Sequence, residues 1–187
     1  RGADEALQAL AESDADVREA VIDALRTRLD AQGEGAGIEE LRAWTDGYLQ
    51  AHVALAALAD KTRLAAMTDA AAEAVVLRLD EAYTLADKAP RSADRSQGLR
   101  TLRRALPEQI TLFAGRFSRV VFAWLDTKLA PKQPETREVV AATIARMKKA
   151  SLPLAEAARL RATLDASAKP RRDLDRVVTG TRGRGKR

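Results

Sequence analysis

Apolar side chains recur every three or four residues along most of the chain, which is the period of a helix with one buried face. The clearest example is Val17, Val21, Leu25 and Leu29, which are spaced by four. No long run of Val, Ile, Thr and aromatic residues alternates with polar residues, so β-strands are not expected. We therefore expect an all-α fold of roughly seven to eight antiparallel helices. The helical segments that the pattern predicts are 3–12, 15–31, 38–60, 63–86, 99–106, 107–130, 134–150 and 154–166.

Glycine and proline mark the predicted ends of these helices. The glycine-rich stretch 33–37 ends the second one. Pro90 ends the fourth, because proline disfavours helical geometry in the residue before it, and the polar residues 91–98 are expected to form a mobile linker. Pro107 is placed at the first position of a new helix, where its missing N–H costs nothing. This helix, 107–130, has the richest apolar stripe and is the expected core helix.

The charge of the chain changes sign near Lys88. Residues 1–87 carry 8 Lys+Arg and 18 Asp+Glu, a net charge of −10, whereas residues 88–187 carry 24 and 9, a net charge of +15. We expect a single domain in which an acidic half (1–87) packs against a basic half (88–167). The remaining residues, 168–187, have little apolar content and are predicted to form a disordered basic tail.

Two short segments align without gaps, 16–21 (DVREAV) and 135–140 (ETREVV). Their offset of 119 residues is close to three times ~40, the period of HEAT-type repeats. Segment 3–29 resembles a HEAT repeat, a family in which an Asp-x-Val-Arg turn leads the second helix of each hairpin. The resemblance implies antiparallel HEAT-like hairpins, while an irregular helical bundle explains the pattern about as well. It also allows for a HEAT-like DNA-repair glycosylase, although the catalytic pocket residues of such enzymes cannot be placed on this chain.

Cysteine and histidine, which commonly carry catalysis or bind metals, are scarce, and the many carboxylates form no catalytic pair. The chain has no cysteine, and its one histidine, His52, stands in a helix interior with no motif around it. We interpret His52 as a surface or semi-buried structural residue. Neither a phosphate-binding glycine loop nor a Glu-x-x-His pair is present. We therefore predict a non-enzymatic protein with no catalytic residue, no metal site and no cofactor. Phe122 lies off the apolar stripe and is the aromatic residue expected to be exposed.

Basic side chains supply the main functional hypothesis, because clustered cations can neutralise phosphates and release counterions. Three clusters are the predicted contacts. Their members are Arg100, Arg103 and Arg104 in one helix, Lys148 and Lys149 in another, and Arg171 and Arg172 in the tail. Arg103 and Arg104 follow Arg100 by three and four residues, so the three are expected to share a broad helix face. Such contacts position a nucleic acid without reading its sequence.

The charge pattern is compatible with three classes of binding partner. Nucleic acid is the first, and an acidic protein surface is the second, including head-to-tail self-association of acidic and basic halves. An anionic membrane surface is the weakest, because no predicted helix combines a basic face with a large aromatic face. No apolar stretch approaches the roughly 20 residues that span a bilayer, so membrane insertion is not expected. No signal peptide is visible, and a cytoplasmic location is the expectation.

Overall fold

The computed structural model describes residues 2–168, which form ten α-helices and three short 3₁₀ helices with no β-strand among them. This confirms the all-α class. The α-helices in chain order are α1 Gly2–Ala11, α2 Ala15–Ala31, α3 Glu34–Glu40, α4 Tyr48–Leu58, α5 Lys61–Ala66, α6 Ala72–Asp87, α7 Gln97–Arg116, α8 Ser118–Asp126, α9 Pro134–Lys149 and α10 Leu154–Ala166. The 3₁₀ helices are Leu41–Trp44, Asp69–Ala71 and Arg91–Arg95.

Helix α7 lies at the centre of the fold and packs against α4, α6, α8 and α9. Ser96 caps its start, since the Ser96 hydroxyl oxygen accepts a hydrogen bond from the Leu99 N–H at 3.2 Å. The inner face of α7 is fully buried at helical spacing. Its apolar members are Leu99, Leu102, Leu106, Ile110 and Phe113. Most of the fold is therefore organised around one face of this helix.

The predicted helix boundary at Pro107 is wrong. Helix α7 continues through Pro107 to Arg116, and α8 begins at Ser118. Proline cannot donate to the carbonyl of Arg103, four residues earlier, and this usually costs about 3 kcal/mol inside a helix. Buried apolar residues on both sides of Pro107 keep the helix continuous in spite of that cost. Tertiary packing, not the local preference of proline, sets the length of α7.

Two other segments predicted as single helices are each divided. Segment 38–60 spans the end of α3, a 3₁₀ helix and α4, and segment 63–86 is interrupted at Met67, whose backbone is extended with φ −65° and ψ 142°. A large apolar side chain is buried at each interruption, Trp44 in the first and Met67 in the second. Burial of these side chains outweighs the local helix signal.

Two stretches predicted to be irregular are instead helical. Glu34 begins α3 inside the glycine-rich stretch. A Cβ atom at Gly37 would lie 2.9 Å from Leu29 Cδ2, so the glycine lets α3 approach α2 closely. Residues 91–95 of the predicted mobile linker form a 3₁₀ helix. Glycine and polar residues predicted irregular structure in both stretches, and this prediction is wrong because both contain a helix.

The buried apolar side chains form one continuous cluster that draws on the acidic and the basic half alike. Phe122 belongs to this cluster and is 5% exposed, so the prediction that it is exposed is wrong. Helix α8 contacts both α6 and α10, and these two contacts bury more of its surface than a single apolar stripe would. The change of charge sign at Lys88 does not coincide with a boundary between two cores.

Candidate polyanion-binding surface

A groove of about 570 Å³ between α7 and α9 brings several basic side chains together. Glu138, near the start of α9, lines this groove with Arg100. Arg146, near the end of α9, lies 3.7 Å from Glu108 of α7. The two helices therefore run in the same direction, and residues about 38 positions apart in the chain face each other across the groove.

Arg100 and Arg104 supply the unpaired positive charge of this groove. They stand one helical turn apart on α7, and both are exposed. Neither takes part in an ion pair within residues 2–168. Because residues four apart are neighbours on a helix surface, the two guanidinium groups form one cationic face. Two of the three arginines that the sequence placed on one helix face, Arg100 and Arg104, are therefore adjacent and exposed.

Arg103 also lines the groove, but its side chain is mostly buried and is not part of the exposed face of Arg100 and Arg104. Its side chain is 9% exposed, and its guanidinium donates to Asp94 Oδ1 at 3.0 Å and to the Ala86 carbonyl at 3.1 Å. Arg103 follows Leu99 by four residues and precedes Leu106 by three, so it belongs to the buried stripe of α7. The structure places Arg103 in a structural role, in which it ties α7 to the end of α6, and not among accessible cations.

Lys148 and Lys149 lie in the last turn of α9 and are exposed, with no ion pair inside the described part of the chain. Lys149 follows Arg146 by three residues and continues the side of α9 that lines the groove. Arg146 is not among the predicted contacts, although its position three residues before Lys149 indicated it. Arg171 and Arg172 lie outside the described residues.

The basic half holds far more cations than carboxylates that could pair with them. Residues 88–167 contain 16 Lys+Arg and 7 Asp+Glu. Five of these carboxylates and six of these cations take part in ion pairs within residues 2–168. The other ten cations have no ion-pair partner in that range, and all but one of them are exposed. They are Lys88, Arg91, Arg95, Arg100, Arg104, Arg119, Lys132, Arg137, Lys148 and Lys149.

The acidic half does little to neutralise this surplus within the chain. Of the 13 ion pairs among residues 2–168, two join the halves, Arg116 with Asp69 at 2.7 Å and Lys128 with Asp80. The remaining pairs lie inside one half or the other. Opposite net charges therefore persist on the two halves of the folded chain.

The groove itself is mixed in charge. Glu135 and Glu138, in the first turns of α9, line it and have no ion pair within the described residues. Glu135 lies in the first turn of α9, where the helix dipole favours a carboxylate, so the helix itself accounts for its presence. The cationic part of the surface is consequently the α7 side together with the C-terminal end of α9.

His52 lies beneath this surface on α4, where α7 covers it. The Gln109 amide donates to the His52 carbonyl oxygen at 3.2 Å. Burial, together with the nearby positive charges of Arg18 and Arg104, lowers the pKa of His52 to about 4. His52 is therefore neutral near pH 7. Its position is semi-buried, as the sequence indicated, and it lies beside the cationic face without lining the groove.

Residues 2–168 contain no group of three or more His, Cys, Asp or Glu side chains placed to hold a metal ion. None of the helices in this part of the chain has both the length and the hydrophobicity needed to cross a lipid bilayer. Comparison of the chain with protein-family models, curated proteins and solved structures finds no match. The HEAT-like character of the first two helices therefore stays a prediction.

Proposed function

We propose that this chain is a non-enzymatic helical binding protein whose basic half engages a polyanion, with nucleic acid as the first candidate. The observation that carries the proposal is the surplus of exposed cations in residues 88–167 that no carboxylate of residues 2–168 neutralises. Arg100 and Arg104 are the central contacts, and Arg146, Lys148 and Lys149 extend them along α9. The sequence adds Arg171 and Arg172 to this set.

Each of these side chains would contact phosphate and leave base edges unread, so affinity should depend on salt more than on sequence. The test is fluorescence anisotropy of labelled duplex DNA and single-stranded RNA, titrated with the full chain at several KCl concentrations. For duplex DNA, each lost phosphate contact should lower the slope of log affinity against log salt by about 0.9. The variant Arg100→Ala/Arg104→Ala should therefore lower that slope by about 1.8.

Arg159→Ala/Arg161→Ala is the matched control. It removes the same charge from the same half, but Arg159 and Arg161 are already held by carboxylates, at 2.7 Å from Asp126 and 2.9 Å from Asp165. We expect this control to bind nearly as the wild type does. Equal losses in the two double variants would show that net charge alone governs binding and would refute the proposed surface. An affinity that does not change with salt would refute polyanion binding altogether.

A second candidate function is assembly of copies of the chain through contacts between an acidic half and a basic half. The observation in its favour is that two of the 13 ion pairs among residues 2–168 join the halves, so each half keeps charge for a neighbour. Such a contact is head-to-tail and generates rings or filaments. Light scattering on nuclease-treated protein should then show a mass that rises with concentration and falls to one chain in high salt. A single-chain mass at every concentration would exclude it.

A further inference from the structure

A second groove, of about 850 Å³, lies in the acidic half between the 3₁₀ helix Leu41–Trp44 and the C-terminal part of α6. Its lining combines carboxylates with apolar side chains. We call it the acidic groove and define it by Glu39, Asp46, Tyr48, Asp80, Glu81 and Leu85. The polyanion surface of the basic half shares no lining residue with it.

Two carboxylates of the acidic groove are held in place by the protein. Asp80 pairs with Lys128 of the segment after α8. Glu81 pairs at 3.0 Å with Arg78, whose own side chain is 2% exposed. These pairs fix the orientation of the groove wall formed by α6, so a ligand meets a preformed surface there.

Two other carboxylates of the groove keep most of their charge available. The Glu39 side chain is 64% exposed and lies 3.6 Å from Arg42, a long and solvent-screened contact. Asp46 is exposed and has no ion pair within residues 2–168. Two exposed cations, Arg42 and Lys88, also line the groove, against the five carboxylates of Glu39, Glu40, Asp46, Asp80 and Glu81. The groove therefore offers negative charge beside the apolar atoms of Tyr48 and Leu85, a combination suited to a basic peptide with apolar residues.

The described part of the chain ends close to this groove. The Ser167 hydroxyl lies 2.6 Å from the Leu129 carbonyl oxygen. The residue before Leu129 is Lys128, which is the partner of Asp80 in the groove wall. One hydrogen bond and one ion pair therefore connect the end of the described chain, through residues 128 and 129, to the groove wall. The 19 residues that follow can span up to about 60 Å when extended, so reach is not limiting.

The sequence of that following segment complements the groove. Residues 169–187 carry 8 Lys+Arg and 2 Asp+Glu, and their main apolar residues are Leu174, Val177 and Val178. We propose that residues 169–187 dock in the acidic groove of the same chain, with their arginines against its free carboxylates and these three apolar side chains against its apolar wall. Arg171 and Arg172 belong to this segment, so their contact with the groove is proposed for the chain without a bound polyanion. The proposal does not rest on polyanion binding and is tested in its absence.

The chain has no native cysteine, so introduced cysteines report a contact without interference. The test variant of the full chain is Ala43→Cys/Thr179→Cys, since Ala43 is an exposed residue of the groove lining. The matched control is Ala70→Cys/Thr179→Cys, since Ala70 is exposed and stands just before α6, at the end away from the groove. Both are treated with a short bismaleimide cross-linker at low salt, and circular dichroism verifies that each is folded.

We expect an intramolecular cross-link in the groove variant at about ten times the yield of the control, because a docked segment holds its cysteine at a high effective concentration. Glu39→Lys/Asp46→Lys in the same background, or high salt, should bring the yield down to that of the control. Equal yields in the groove and control variants would overturn the proposal. Cross-linked dimers in place of intramolecular products would also overturn it, and would assign the groove to a second copy of the chain.

Discussion

His52 gives the sharpest expectation for how this fold responds to pH. The histidine lies on α4 under α7, and burial with nearby positive charge lowers its pKa to about 4, against an ordinary value of 6.5. In the unfolded chain the imidazole regains its ordinary pKa, so between these two values the unfolded state binds more protons than the folded state. Folding stability contributed by neutral His52 is therefore complete above pH 6.5 and is lost as the pH falls toward 4.

The size of this loss follows from the pKa difference. Each pKa unit corresponds to about 1.4 kcal/mol, so the shift of His52 is worth on the order of 3 kcal/mol over the window. The free energy of unfolding of a domain of this size is typically about 5–15 kcal/mol, so the loss would be a large fraction of the total stability. The pKa values of Asp4 and Asp165 are held below 3.8 by hydrogen bonds from arginine, so their contribution is lost only under more acidic conditions.

The assay is urea unfolding of the wild type and of His52→Gln, followed by far-ultraviolet circular dichroism at intervals from pH 7.5 to pH 4. The glutamine variant keeps a neutral polar side chain at the site and removes its titration. We expect the free energy of unfolding of the wild type to fall relative to that of the variant by about 3 kcal/mol across the range. Curves that stay parallel at every pH would show that His52 titrates normally in the fold and would refute the argument.

Three further expectations concern stability and can be measured by urea unfolding at neutral pH. Arg103→Ala should lower the free energy of unfolding by about 2 kcal/mol, because it leaves two acceptors unpaired, whereas Arg104→Ala should change it by less than about 0.5 kcal/mol. Equal effects would contradict the buried placement of Arg103. Ser151→Gly should raise stability by about 1 kcal/mol, since Ser151 has a φ of 55°, and a neutral or destabilising result would contradict that backbone geometry. Gly115→Ala should be neutral or stabilising, because a Cβ atom there has no neighbour within 4 Å. Gly98→Val should instead lower the free energy of unfolding by about 1–3 kcal/mol, because a Cβ atom there lies 3.3 Å from side chains of α4. A well-tolerated valine would show that α7 and α4 are farther apart than the structure places them.

The sequence was sufficient for the fold class and for part of the buried faces. In α2, Val21, Leu25 and Leu29 are buried at the spacing of four that the apolar pattern indicated, whereas Val17 is half-buried. It was insufficient where tertiary contacts outweigh local preference. Pro107 carries a strong local signal for a boundary, and only burial of the residues around it keeps α7 continuous. Phe122 was predicted to be exposed because it lies off the apolar stripe of its helix. It is buried because α8 is covered by both α6 and α10.

The candidate site shows the same division. The sequence shows that the cations are clustered. It does not show that the side chain of Arg103 faces the core while that of Arg104 faces outward, because this depends on which side of α7 is buried. The groove joins side chains of α7 and α9 that are far apart in the sequence, so no local pattern indicates it. Whether opposite charges neutralise each other likewise depends on three-dimensional placement, and in the described part of the chain two ion pairs join the halves.

The central position of α7 also bears on how the chain folds as it is synthesised. Helix α4 is buried on most sides, with Val53, Ala54 and Leu55 each 0% exposed, and α7 provides part of its cover. A nascent chain that has reached only residue 87 therefore carries an uncovered apolar helix and cannot complete its core. Mutual repulsion from the net charge of −10 on residues 1–87 opposes association of such incomplete chains. The acidity of the first half therefore favours the solubility of an incomplete chain in which α7 has not yet been synthesised.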